Sequence, residues 1–160
     1  MASKTVGIGE MGVRLSTRGE YGLRAMVGLA AGYGSGPMTL SELAQRERVS
    51  STYLEQLLGV LRRQGLVEST RGAHGGYELA LRPQDISVGD VVRALEGPIA
   101  LFSCVSEEAA EGSCGRAGSC LTRSLWLKVR DSIAEVLDST SLADLVAYPS
   151  DKDHQATVTC

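Results

Sequence analysis

The stretch that most constrains the fold is Ser51-Thr-Tyr-Leu-Glu-Gln-Leu-Leu-Gly-Val-Leu-Arg-Arg-Gln-Gly65. Leu54, Leu57, Leu58 and Leu61 fall on one stripe at helical spacing and leave the opposite face polar, so this segment reads as a helix laid across a core. Ser50 or the Thr52/Glu55 pair can cap its first turn, and Gly65 stands where a left-handed C-terminal cap is expected. Upstream, Thr39-Leu-Ser-Glu42 spells a capping box ahead of Leu43 and Ala44, and Val49-Ser50 separates this short second helix from the third. A first helix runs from about Arg18 to Tyr33, with Tyr21, Ala25, Met26, Leu29 and Ala30 at helical spacing, until Gly34-Ser-Gly-Pro37 stops it.

Two short helices joined by a tight turn are the pattern of a helix-turn-helix. Directly after the third helix, Leu66-Val-Glu-Ser-Thr70 and Tyr77-Glu-Leu-Ala-Leu81 flank Arg71-Gly-Ala-His-Gly-Gly76, a strand, a glycine-rich turn and a strand, which is a wing hairpin. Gly75-Gly76 is expected to give the tip positive φ and close approach to a ligand. In this arrangement the third helix enters the major groove of double-stranded DNA, whose base edges carry a readable pattern there. Ser51, Tyr53, Glu55 and Gln56 are the candidates for base or phosphate contact. Arg62, Arg63 and Arg71 are candidates for holding the backbone, with Arg71 and His74 at the wing tip suited to a phosphate or the minor-groove floor. The net charge of -3 looks wrong for such a role, but residues 1–83 carry +3 and residues 84–160 carry -6, so a basic head is joined to an acidic body.

In the second half, Ser87-Val-Gly-Asp90 opens a helix through Leu95, and Gly97-Pro98 follows. After a polar, glycine-rich loop, Leu121, Leu125, Val129, Ile133 and Leu137 repeat every four residues beside Trp126 and Val136. That helix of about five turns has a wider apolar face than one small winged domain can cover, so pairing with the same helix of a second subunit is expected. Ser141-Leu-Ala-Asp144 begins a last short helix through Val146. The fold class is therefore mainly α with a small β wing. Residues 1–12 form an N-terminal extension expected to be disordered, and 13–83 a winged helix-turn-helix DNA-binding domain. Residues 84–148 form a cysteine-loop and dimerisation region built on the long C-terminal helix, and 149–160 a polar tail.

No apolar run near the N-terminus resembles a secretory signal, and no stretch approaches the roughly 20 apolar residues of a membrane helix, so a cytoplasmic protein without membrane association is expected. In a reducing compartment Cys104, Cys114, Cys120 and Cys160 read as metal ligands or redox thiols rather than disulfides. Cys160 ends the polar tail and stands apart. The other three are separated by nine and five residues on the loop before the long helix, a segment in which no core is expected to form without help. Soft thiolates select an iron-sulfur cluster, zinc or copper, and a cluster-free thiol switch is the further alternative. The spacing differs from the tight C-x2-C pairs of structural zinc sites. An enzyme is not expected: there is no cofactor glycine fingerprint, and His74 and His154 have no catalytic partner nearby in sequence.

The ordered set Arg14-Leu-Ser-Thr-Arg-Gly-Glu-Tyr-Gly-Leu-Arg-Ala-Met26, Tyr53-Leu-Glu-Gln-Leu-Leu58, Arg71-Gly-Ala-His-Gly-Gly-Tyr77, Leu95-Glu-Gly-Pro98 and Cys120-Leu-Thr-Arg-Ser-Leu-Trp126 resembles the Rrf2 family of bacterial winged helix-turn-helix regulators, over residues 12 to 148. Met11 matches the usual family start. The resemblance implies that Tyr53, Glu55 and Gln56 lie on the recognition helix, that Arg71 belongs to the minor-groove wing, and that the helix beginning near Cys120 makes a homodimer. Cluster-binding members carry three cysteines in this loop, matched in order by Cys104, Cys114 and Cys120. Two departures stand out. The first gap is longer than in the cluster-assembly regulators, and their histidine ligand three positions after the last cysteine is Arg123 here, which cannot ligate iron. In the nitric-oxide-sensing subtype an acidic residue of the first helix reaches across the dimer to complete the site, and Glu20 holds that position; on spacing alone Glu20 is a surface carboxylate paired with Arg24.

The function expected is a DNA-binding repressor whose operator affinity is controlled by an iron-sulfur cluster, 2Fe-2S or 4Fe-4S, sensing iron, nitric oxide or redox state. The alternatives are a cluster-free repressor of cysteine or sulfur metabolism, governed by thiol redox or by a bound metabolic enzyme, and an iron-sulfur electron carrier.

Overall fold

The computed structural model describes residues 15–110 and 114–148. The expectations for residues 1–12, for Met11, for the tail and for Cys160 lie outside the described residues. The chain runs α1 (Thr17–Ala31), α2 (Leu40–Glu47), α3 (Ser51–Arg63), β1 (Val67–Thr70), β2 (Gly76–Leu79), α4 (Val88–Glu96), α5 (Arg123–Ser139) and α6 (Leu142–Ala147). Short 3-10 turns lie at Pro83–Asp85 and Ser103–Val105. It is a mainly helical fold with a two-stranded antiparallel wing, as the sequence implied.

The helix starts follow local chemistry. Thr39/Glu42, Ser87/Asp90 and Ser141/Asp144 each form a reciprocal capping box, and Ser50 accepts from the Tyr53 amide to cap α3. The end of α3 is a Schellman turn: Leu66 N–H bonds Leu61 O at 3.0 Å, Gly65 N–H bonds Arg62 O at 3.0 Å, and Gly65 takes φ 73. The turn between α2 and α3 is made one residue earlier than Val49-Ser50, at Arg48, which adopts φ 56.

The core joins the face Leu54, Leu57, Leu58 and Leu61 of α3 to Ala25, Met26 and Leu29 of α1 and Leu43 of α2. It continues without a break past Pro83 into Ile86, Val91, Leu95 and Leu142. Leu142 is fully buried because the α5–α6 link returns to the head, where Val88 N–H bonds Thr140 O at 2.8 Å and Leu142 N–H bonds Ile86 O at 2.9 Å. By contrast α5 buries no residue: Leu125 is 53% and Val136 63% exposed, and a shallow apolar groove is lined by Val129, Ile133, Val136 and Leu137. Its helical turns begin at Arg123, so Leu121, read as the first residue of the stripe, lies before the helix in a turn, 94% exposed. No described helix is long and apolar enough to cross a membrane.

Candidate nucleic-acid interface and cysteine loop

Burying the leucine stripe of α3 turns Ser51, Glu55 and Gln56 outward, where all three are exposed. Tyr53 is half-buried, its ring meeting Tyr21 of α1 edge to face at 6.3 Å, while the Arg24 guanidinium stands 5.3 Å from the Tyr21 ring centre. Arg62 donates to Ser69 Oγ on β1 at 2.9 Å and so braces the helix against the wing, whereas Arg63 is exposed.

The wing pairs Val67 with Leu79 and Thr70 with Gly76, and presents Arg71 and His74 at its exposed tip. A third segment, not anticipated, joins it: Met38 and Tyr77 exchange both backbone hydrogen bonds, at 2.9 and 2.8 Å. The expected role of Gly75-Gly76 is corrected here. Among the tip glycines the positive φ belongs to Gly72, at 113°. Gly75 and Gly76 are required instead because a Cβ would stand 2.2 Å from Thr70 O and 2.4 Å from Met38 O respectively.

The three cysteines of the loop are free, Cys104 and Cys114 half-buried and Cys120 exposed. Cys120 Sγ lies 3.5 Å from Thr122 Oγ1. The Thr122 hydroxyl, then the Thr122 and Arg123 amides and the Arg116 charge, hold this thiol below the ordinary cysteine range. The expectation that no core forms in this loop without help is corrected by Val105, which is fully buried in the turn beside α5. Phe102 meets Trp126 edge to face at 5.2 Å, and Arg130 donates to the Val105 and Ser106 carbonyls at 3.1 and 3.4 Å. Glu107, read as part of a polar segment, accepts from the Ile99 amide at 2.8 Å and from Arg93 of α4 at 2.6 Å. Arg93 holds its carboxyl below the usual range.

Cys104, Cys114, Cys120 and Glu20 are not brought together within one chain: among the described residues no three His, Cys, Asp or Glu side chains are gathered to hold a metal ion. The Glu20 side chain is 59% exposed and stands 4.0 Å from Arg24, the surface pairing open to it on spacing alone. Arg24 also bonds Glu47, the one buried charged residue among those described, at 3.0 Å.

Comparison with known proteins decides the class of molecule this head belongs to. The Rrf2 family profile, described as an iron-dependent transcriptional regulator, matches residues 15–148. The chain belongs to the Rrf2 family. It is 44% identical over 136 residues to the HTH-type transcriptional regulator CymR of Bacillus subtilis, covering 85% of this chain and 91% of CymR. It is 37% identical over 134 residues to the regulator IscR of Aliivibrio salmonicida, covering 84% of this chain and 77% of IscR. The solved structure of CymR, the global cysteine regulator of B. subtilis, superposes with a TM-score of 0.72, covering 87% of this chain and all of that one. T. potens IscR gives 0.69 at 44% identity, covering 95% and 96%. This Rrf2-family chain is thus a DNA-binding transcription regulator, and its relatives are regulators rather than enzymes.

Proposed function

We propose that two copies pair through α5 and bind operator DNA as a repressor. Ser51, Tyr53, Glu55 and Gln56 read the major groove, while Arg62, Arg63, Arg71 and His74 hold the backbone and minor groove. In this reading Cys104, Cys114 and Cys120, with the partner subunit's Glu20, are ligands of an iron-sulfur cluster that controls operator affinity. The observation that carries it is placement: three free, solvent-accessible thiols share the loop that, beside α4, packs on the helix whose apolar face is left uncovered. The donor set fits by chemistry, since thiolates are the ligands such clusters take and Cys120 is already biased toward the thiolate. In this reading the loop gathers the three thiols when a cluster binds, and the second subunit supplies the fourth ligand. A bound cluster would supply ligation energy that orders the loop and a centre that iron loss, oxidation or nitric oxide can dismantle.

The test is purification without oxygen, with a visible spectrum, iron and sulfide counts, and operator binding of iron-loaded and stripped protein at one salt concentration. A brown protein with at least a tenfold affinity difference, about 1.4 kcal/mol, is expected. Equal affinity in both forms overturns cluster control. Glu20→Ala should shorten cluster lifetime, and an unchanged spectrum and lifetime removes Glu20 from the ligand set.

One observation favours a second reading. Val105, Glu107 and Arg130 anchor the loop through the chain's own packing and hydrogen bonds, and the similar B. subtilis protein is described as a global cysteine regulator. A colourless, iron-free protein that binds its operator would point to a repressor governed by thiol redox or by a bound metabolic enzyme.

A further inference from the structure

Within the second half of the chain, α4, the cysteine loop and α5 meet at one guanidinium. From α4, Arg93 donates through Nε and Nη2 to Glu107 at 2.9 and 2.6 Å, and through Nη1 and Nη2 to Asp138 at 2.6 and 3.0 Å. Glu107 lies three residues after Cys104 and also takes the Ile99 amide, so it carries the first arm of the cysteine loop. Asp138 is in the last turn of α5. One turn earlier on α4, the space a Cβ at Gly89 would take is filled by the Asp138 carboxylate and the Arg93 guanidinium, so a larger residue there would displace the pair. Through its buried residues, α4 in turn packs on α1 and α3, the helices of the reading head.

An open cavity of about 460 Å³ separates Gln64 and Leu66, at the end of α3 and the root of the wing, from Gly97, Pro98, Glu107 and Glu108. On that side the polar connection between loop and head runs along the cavity wall through Arg93. Partly exposed ion pairs contribute little to stability as a class, yet here a planar five-donor fork is matched to two carboxylates from segments 14 and 45 residues away. Such a geometry specifies relative position more than it adds folding energy.

We propose that Arg93 is a positioning residue: by clamping Glu107 and Asp138 onto α4 it fixes the winged head against the cysteine loop and the dimer helix, and so sets the distance between the two reading helices. Any motion that draws Cys104 toward Cys114 and Cys120 must carry Glu107, and Arg93 transfers that displacement to α4 and α5 together. This rests on the dimeric operator-binding reading above.

The test uses the full-length protein, purified without oxygen, and an operator selected from random duplex DNA with the wild type. Affinity is measured for the selected spacing, for duplexes with one or two base pairs inserted between half-sites, and for a single half-site. Wild type is expected to prefer the selected spacing at least tenfold. Arg93→Gln should reduce that preference to threefold or less without changing single-half-site binding, and Arg93→Lys, which keeps the charge but not the fork, should fall between. A folded, dimeric Arg93→Gln that keeps the wild-type spacing preference overturns the proposal, as does an equal loss on every duplex. If Arg93→Gln does not fold, Glu107→Gln is read by the same outcomes. A wild type indifferent to spacing fails the dimeric reading itself, whereas a preference that survives in the variants fails only the role of Arg93.

Discussion

A methyl group at Gly76 would stand 2.4 Å from the Met38 carbonyl oxygen and 3.0 Å from the Thr39 nitrogen, both backbone atoms that cannot move without opening the Met38–Tyr77 bridge. Gly76→Ala is therefore expected to cost about 1–3 kcal/mol, the range for forced overpacking, and to weaken DNA binding by tilting the wing. Urea unfolding and operator titration would register both. Glu107 sets a pH dependence. Arg93, and then the Ile99 amide, depress its folded-state pKa, so its contribution is complete above the unfolded carboxylate value of about 4.3 and is lost as pH falls below that toward the folded value. The stability curve of Glu107→Gln should be flatter than wild type in that acid window and parallel to it near neutrality. Glu42 and Asp144 are depressed too, by hydrogen bonds from Thr39 and Ser141 in their capping boxes, so some acid sensitivity will persist in the variant.

At the scale of the element, α5 is the anomaly: a helix of 17 residues with none of them buried. One edge meets Phe102 and the Val105 and Ser106 carbonyls through Trp126 and Arg130, while Leu125 and Val136 face solvent. Leaving this apolar face wet forgoes about 25 cal/mol for every Å² that a partner could cover. Val136→Glu should thus leave helix content and single-chain stability within about 0.5 kcal/mol, since the site is exposed, while abolishing the proposed α5-paired dimer in sedimentation. An unaltered dimer in that variant would place the seam elsewhere.

For the whole molecule, the division of charge between a basic head and an acidic body turns phosphate contact into a salt dependence. Each arginine that touches the backbone releases about one counterion, so Arg63→Ala and Arg71→Ala are each expected to lower the slope of log affinity against log salt by about one, equally for all sequences. Lys128→Ala, on α5, should leave the slope unchanged. Gln56→Ala should instead relax preference at one base position, by about 1–3 kcal/mol if its contact is bidentate, measured by competition among operator variants.

The sequence by itself determined what four-residue neighbourhoods and simple periods can encode: six helices, the Thr39–Glu42 capping box, the Gly65 stop, the wing, and the apolar stripe of α5. It also offered Cys104, Cys114, Cys120 and the outward face of α3 as candidates for the chemistry, from residue type and spacing. Other features were invisible there. Met38 joins the wing as a single residue after Pro37 and has no period to betray it; Glu107 read only as part of a polar loop and Asp138 drew no reading, because their partner is 14 and 45 residues away. Val105 was lost in a loop rich in glycine and glutamate, and the fit of Gly76 against Met38 needs two distant backbones in one place. Only the tertiary structure decided how the cysteine loop is anchored, through Val105, Arg130 and the pairing of Glu107 with Arg93 of α4. Local hydrogen bonds and hydrophobic period act along the chain, whereas a clamp such as Arg93 exists only after the chain has closed on itself.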